Sequence, residues 1–306
     1  MKKTIIAVVV IVLVGLGIYF FTKDSPTDVD KNIVVAPDTT QATSTEPVVA
    51  EKDKSVTEIG TSTEGYDISA YHFGTGATEL LFVGGIHGGY EWNTVLVAQN
   101  LMDYLKLHPE IIPQNVKVTV IPVLNPDGLN KVVGTTTHFT ASQVSSSQAV
   151  QTSGRFNANN VDLNRNFDCD WQSTGTWQNK PVSGGSEAFS ESESQAIKQY
   201  IESNNPAAVV VWYSAAGGVY SSSCHNGVSD ETSSLTKVYA KASGYPAYES
   251  FDFYATTGDM TNWFAKKNIP AISVLLTTHQ DVEWDKNLAG VKAVLEHYNS
   301  NSTNVQ

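Results

Sequence analysis

Leu81-Phe82-Val83-Gly84-Gly85-Ile86-His87-Gly88-Gly89-Tyr90-Glu91 is the stretch that decides the fold. An apolar run stops at two glycines, and a histidine and a glutamate follow. The run predicts a buried strand and the glycines predict a tight turn at its end. The imidazole and the carboxylate are donor types that hold zinc. A four-residue spacing puts both side chains on one side of a helical turn. The plainer reading of Glu91 is a carboxylate that complements a helix N-terminus. Because H-x-x-x-E is a common pattern, its weight comes from two later segments, Asn125-Pro126-Asp127-Gly128 and Val161-Asp162-Leu163-Asn164-Arg165-Asn166-Phe167.

Around these segments, strand and helix patterns alternate. Glu79 to Val83 reads as a strand. Trp92, Val95, Leu96, Leu101, Met102 and Leu105 then recur at helical spacing. Val116 to Leu124 is a second apolar run, rich in β-branched residues. Ser190-Glu191-Ser192-Glu193 has the spacing of a capping box and predicts a helix to about Ser203. Ala207 to Trp212 and Ala271 to Leu276 are continuous buried strands, and a last helix covers roughly Trp284 to Tyr298. Helices between apolar strands predict an α/β sheet covered on both faces. Sites in such sheets lie at the carboxyl ends of strands, where His87, Asn125, Tyr213 and the residues after Leu276 fall.

In this order, the three segments resemble the zinc carboxypeptidases, the carboxypeptidase A-like metallopeptidases. The resemblance covers most of residues 64–300. It implies a three-layer α/β/α sandwich around a mixed, mostly parallel sheet, zinc as cofactor, and a peptide with a free C-terminus as ligand. It implies that His87 and Glu91 face the metal, one residue further apart than the family's usual H-x-x-E, with Gly88-Gly89 absorbing the insertion. It gives Asn164 and Arg165 the substrate's terminal carboxylate, for which a guanidinium fork is suited; the plainer alternative is a structural arginine paired with Asp162 or Asp168. It gives Arg155 the oxyanion of the attacked carbonyl, and Tyr254 the part of a mobile tyrosine closing over substrate. Residues near Thr261 would line the pocket for the terminal side chain, where Asp259 could favour a basic group.

Two positions depart from the family's pattern. Tyr213, at the end of Val209-Val210-Val211-Trp212, stands where the third zinc-binding histidine is expected, and a phenol with a pKa near 10 is a poor ligand at neutral pH. Leu275, in Ile269-Pro270-Ala271-Ile272-Ser273-Val274-Leu275-Leu276, stands at the catalytic glutamate's place and cannot move a proton. His279, Glu283 and His225 are the candidate replacements.

The N-terminus sets the compartment. Met1-Lys2-Lys3 precedes an apolar run from Ile5 to Phe21, long enough to just span a bilayer. The lysines favour a cytoplasmic tip at 1–4. No small-x-small site follows promptly, which favours an uncleaved signal anchor at 5–21 over a cleaved signal peptide. Residues 22–63 read as a disordered stalk, 64–300 as the folded domain and 301–306 as a tail. The domain would lie outside the cytoplasm, held to the membrane by its N-terminal helix. In that compartment the two cysteines, Cys169 and Cys224, suggest a disulfide. A formal charge of -12 argues against nucleic acid as a partner. Three functions compete: a metallocarboxypeptidase with weak or lost activity, a pseudoenzyme that binds peptide C-termini, and a related deacylase of acylated amino acids.

Overall fold

The computed structural model describes residues 54–301. The membrane anchor predicted at 5–21 and most of the stalk lie outside the described residues. Within them, no helix is long and apolar enough to cross a membrane.

Strands β1 (Val56–Thr61), β2 (Asp67–Phe73), β3 (Thr78–Val83), β4 (Val116–Ile121), β7 (Ala208–Ser214), β8 (Gly218–Ser221), β9 (Ala247–Tyr248) and β10 (Ala271–Leu276) form one sheet in the order β1-β2-β4-β3-β7-β10-β8-β9. The inner strands β4, β3, β7 and β10 run parallel, while β1, β2 and β8 pair antiparallel with their inner neighbours. A separate hairpin joins β5 (Thr174–Trp177) and β6 (Lys180–Ser183).

Alternate residues of the inner strands face opposite layers. Leu80, Phe82, Val210, Trp212, Ile272 and Val274 pack against helices α1 (Trp92–Leu107), α5 (Asp230–Ser243) and α7 (Trp284–Asn301). Leu81, Val83, Val209, Val211, Tyr213, Ala271 and Leu275 pack against α4 (Ser192–Asn204) and α6 (Met260–Lys266). Two shorter helices, α2 (Pro126–Val133) and α3 (Gln148–Ser153), stand beside the turn after β3. The result is the predicted three-layer sandwich around a mixed, mostly parallel sheet. The strand order reverses between β3 and β7, and a crevice forms there at the strands' carboxyl ends.

Two expectations are corrected. The folded domain does not begin at residue 64, because β1 occupies Val56–Thr61 inside the stretch read as stalk. It is an edge strand with half its residues exposed, so its sequence carries little apolar signal. It is followed by Ser62, whose hydroxyl bonds the Asp127 carboxylate, and by Thr63, whose amide donates to Glu193. Nor does Ser190 cap α4. The cap is Glu191, without a side-chain bond, and Glu193 is drawn away by the Thr63 amide and Asn157.

Candidate active site

Each element of the crevice brings one polar group. After β3 the chain turns through a short 3-10 segment, Gly88–Glu91. Gly88 sits at φ +45, and a Cβ there would come within 2.7 Å of the Gly154 carbonyl, so only glycine serves. This turn carries the side chains of His87 and Glu91 into the same crevice, with His87 Nδ1 2.9 Å from Glu91 Oε1. Both nitrogens of His87 and Glu91 Oε2 are buried without a hydrogen-bond partner.

Behind them lies Asp162, fully buried. Its Oδ1 faces His87 Nε2 across 3.5 Å and accepts from the Asn164 amide, while Oδ2 receives Arg155 Nε and Nη2, each at 2.9 Å. Burial alone would raise the Asp162 carboxyl, but the Arg155 guanidinium overrides it and holds it well below the usual carboxylate range. Arg155 also stands 3.8 Å from Glu91 and 4.5 Å from the centre of the Trp177 ring. Asp162 therefore couples the His87–Glu91 pair to the arginine.

Asn164 and Arg165 follow on a 3-10 turn, Leu163–Arg165, whose N-cap is Asp162. Arg165 pairs with neither Asp162 nor Asp168; the latter takes Lys266 at 2.8 Å. Its guanidinium instead donates to the carbonyls of Asn164 and Thr176, and its Nε is buried with no partner. The hairpin lies so close that a Cβ on Gly175 would stand 2.6 Å from Arg165 Cδ. Tyr254 stands on the open side, its ring centre 5.6 Å from the guanidinium carbon. Asn164 is held by Asp259, which accepts from its amide at 2.8 Å, and by the Met260 amide. Asp259 also caps α6 and accepts from the Thr261 hydroxyl.

The opposite wall is built by β7 and β10, where Tyr213 and Leu275 are partners in register. Both line the crevice with His87, Glu91, Asn164, Arg165, Tyr254 and Thr261. The Tyr213 hydroxyl leans on Asn164 Oδ1 at 3.4 Å. Burial, reinforced by Asp259 and Glu91, pushes the phenol well above its ordinary pKa, so it is neutral at physiological pH.

Of the three candidate replacements, only one stands beside the crevice. Glu283 is spent on Thr277, Tyr245 and Lys286, and His225 is exposed beside Asp170. His279 lines the neighbouring compartment with Glu91, Arg155, Trp177 and Leu275. Its Nδ1 is buried without a partner, and burial, only partly offset by Glu91, lowers its pKa. Asn93 fastens this loop by donating to the carbonyls of Thr278 and Asp281.

The predicted disulfide is formed: Cys169 and Cys224 join the loop after Arg165 to the loop after β8. Sequence reasoning named Asp162 only as a possible partner of Arg165, although it sits two residues before Asn164. It also missed Trp177, which reaches the neighbouring compartment from a hairpin turning on Gln178 and Asn179, both at positive φ.

Residues 48–285 match the sequence family described as zinc carboxypeptidase. The chain belongs to that family. The family's enzymes use zinc. No curated protein sequence matches the chain. Among solved structures, bovine thrombin-activatable fibrinolysis inhibitor, in complex with tick carboxypeptidase inhibitor, is similar at TM-score 0.65 and 16% identity, over 80% of this chain and 90% of that one. Carboxypeptidase A from Helicoverpa armigera gives 0.61 and 18%, over 82% and 69%. Murein-tripeptide amidase MpaA from Escherichia coli O157 gives 0.57 and 21%, over 78% and 91%. At these identities the likeness is one of fold.

A catalytic zinc site has three protein ligands and an open position. His87 and Glu91 fit two of them, since they converge to 2.9 Å while both His87 nitrogens and Glu91 Oε2 are buried outside any hydrogen bond. A neutral phenol does not fit the third, and Leu275 offers no base.

Proposed function

We propose that this protein binds the C-terminal ends of peptides in the crevice and hydrolyses them weakly or not at all. The observation that carries the reading is the contrast across the crevice. Arg165 keeps a buried, unpartnered Nε on one side, while Tyr213 and Leu275 pair in register on the other. A guanidinium held at two corners by backbone carbonyls is pre-organised, so it can meet a carboxylate at little entropic cost. Asn164 orients beside it, and Tyr254 covers the pair. Arg155 would face the carbonyl of the terminal peptide bond, held by Asp162 in a fixed charge state. The Leu275 side chain, at the end of β10, cannot take a proton from water.

The test is binding of one peptide as free acid and as C-terminal amide to the full chain, with metal content and release of terminal residues measured alongside. The acid should bind better, by the roughly 1.5–3 kcal/mol of a charge-assisted bond, and Arg165→Ala should erase the difference. Equal affinity for acid and amide would show that Arg165 is structural. Cleavage of acylated amino acids but not of peptides would move the chain to the deacylases.

A second reading, slow retained hydrolysis, is favoured by His279, whose unpaired Nδ1 lies across Leu275 from the crevice. Turnover in the parent that disappears in His279→Gln would support it.

We also infer a location. Ile5–Phe21 would anchor the chain, with the domain outside the cytoplasm, from the lysine pair and the missing cleavage site. Intact-mass analysis of the membrane fraction tests this; a mature N-terminus beyond Phe21 refutes it.

A further inference from the structure

We propose that Cys169, Cys224 and His225 form a second metal site, for zinc or another thiophilic divalent cation, which replaces the disulfide when the two cysteines are reduced. The site shares no residue with the lining of the crevice or of its neighbouring compartment.

The chain has two cysteines, and each is followed by a residue able to bind or orient a metal: Cys169-Asp170 and Cys224-His225. Folding brings the two dipeptides together from the loop after Arg165 and the loop after β8. Both sulfurs and a ring nitrogen of His225 lie within 4.8 Å of one another. Ligands around one zinc stand about 3.3–3.8 Å apart, from bonds of about 2.0–2.3 Å in a tetrahedron. Once the S–S bond is cut, rotation of the cysteine side chains brings that spacing within reach. Asp170 supplies the outer contact. Its Oδ1 is 3.1 Å from His225 Nε2, and its Oδ2 is 4.0 Å from Cys169 Sγ. A carboxylate on one imidazole nitrogen is the usual device that orients a histidine ligating through the other.

A disulfide alone asks nothing of the residues beside it. Here both are held in the left-handed region, Asp170 at φ 52 and His225 at φ 66. That region is open to Asp and His at some cost, and the plain alternative is two tight turns. Turns alone do not account for two side chains from distant loops meeting beside the sulfurs. The cysteines are buried while His225 and Asp170 face solvent, so a cation has a way in from one side. Two thiolates and an imidazole are a donor set that suits zinc, and they leave a fourth position to water.

The change of state balances. A dithiol reductant gives two electrons and two protons to the disulfide and leaves as its own disulfide. Zinc then displaces both thiol protons to solvent and takes both thiolates. The exchange matters because the bridge sits behind Arg165. The Gly258 amide donates to the Cys169 carbonyl, the Phe167 amide donates to the Gly258 carbonyl, and a Cβ on Gly258 would meet the Arg165 carbonyl at 2.2 Å. A metal in place of the S–S bond keeps this segment tied to the loop after β8 under reducing conditions.

The full chain, reduced with a phosphine that is then removed, is titrated with cobalt(II), its fold checked by circular dichroism. Cys169 and Cys224 are the chain's two cysteines, so sulfur-to-cobalt charge transfer in the near ultraviolet reports this site and not His87 or Glu91. Reduced protein should take up cobalt with that absorption and lose it to zinc, and oxidised protein should show none. Asp170→Asn should weaken cobalt binding by about 10–100-fold, and His225→Ala by at least as much. Absence of the absorption in folded protein whose two thiols titrate as free overturns the proposal. So does cobalt affinity unchanged in His225→Ala. Should the reduced chain unfold without metal, zinc added before the reductant should preserve its melting temperature, and His225→Ala should lose that protection. A reduced chain that unfolds equally with and without zinc overturns the proposal.

Discussion

Changing Tyr213 to histidine and Leu275 to glutamate together should raise the protein's affinity for zinc and make its stability depend on the metal. The two positions are partners on adjacent strands, each under a tenth exposed, and both line the crevice with His87 and Glu91. Without metal, the double variant should be less stable than the parent. The new carboxylate joins Glu91, Asp162 and Asp259 in a buried wall, and an unsatisfied buried polar group costs about 1–3 kcal/mol. With zinc at a thousand times its Kd, linkage returns about 4 kcal/mol. At roughly 2–4 °C per kcal/mol for a domain of this size, that is a rise of about 8–16 °C. The parent, with two donors and a neutral phenol, should move little. Scanning calorimetry in chelator and in zinc reads the shift, and metal analysis reads the stoichiometry. Turnover should appear only in the variant, since a general base alone is worth about 10²–10⁴-fold. The reasoning is refuted if the parent already melts higher in zinc by a comparable amount, carries one zinc per chain, and turns over at about 1 s⁻¹ or faster. His279 would then be the group to examine.

Other perturbations probe the scaffold. Arg155→Met leaves Asp162 buried and unpaired, so unfolding free energy in urea should fall by about 3–5 kcal/mol; a loss below about 1 kcal/mol would show that Asp162 escapes to water. Reducing Cys169–Cys224, which are 55 residues apart, should cost about 4 kcal/mol in the chain-entropy model; melting unchanged by reductant would contradict this. His72 is lowered by burial, then by Lys117, so the folded state favours its neutral form. Well above the ordinary value of 6.5, His72 is neutral whether folded or unfolded, and it adds no slope. Below that the unfolded chain binds the proton first, so stability should fall as pH drops toward the folded pKa. His72→Asn should flatten melting temperature against pH in that window, and an unaltered slope would assign it to other groups.

The central strands and the order of site segments were legible because buried parallel strands are nearly continuous apolar runs, as in β3, β7 and β10. His87, Glu91, Asn164 and Arg165 could be placed in one crevice for the same reason, since each follows or adjoins such a run. The edge was not legible. Val56–Thr61 buries little, so it reads as linker, and only its hydrogen bonds to β2 and the contacts of Ser62 and Thr63 bring it into the domain. The capping box failed because Glu193 has a better offer from Asn157 than from a helix end. Trp177 was hidden because a Gln-Asn turn carries no strong hairpin signal.

Whether the crevice could keep its shape without a metal is decided by what else holds its walls. In this chain the polar groups are fastened to one another rather than to a common centre. Asp162 ties the His87 turn to Arg155; Asp259 ties Asn164 to the start of α6; Asn93 ties the His279 loop to α1; the disulfide ties the loop after Arg165 to the loop after β8. Among the described residues, Asn164 and Arg165 share no hydrogen bond with His87 or Glu91 except through Asp162, whose charge state is set by Arg155. Loss of a third ligand would therefore leave two unsatisfied donors, His87 and Glu91, and little else disturbed. On this wiring peptide binding and hydrolysis are separable. Arg165→Ala should abolish recognition of the acid without altering metal content, while reversion of Tyr213 and Leu275 should restore metal without altering the acid–amide difference. If Arg165→Ala changed the zinc affinity of the double revertant by more than about tenfold, the two halves would be coupled by about 1.4 kcal/mol or more, and a binding protein without catalysis could not be explained by this architecture.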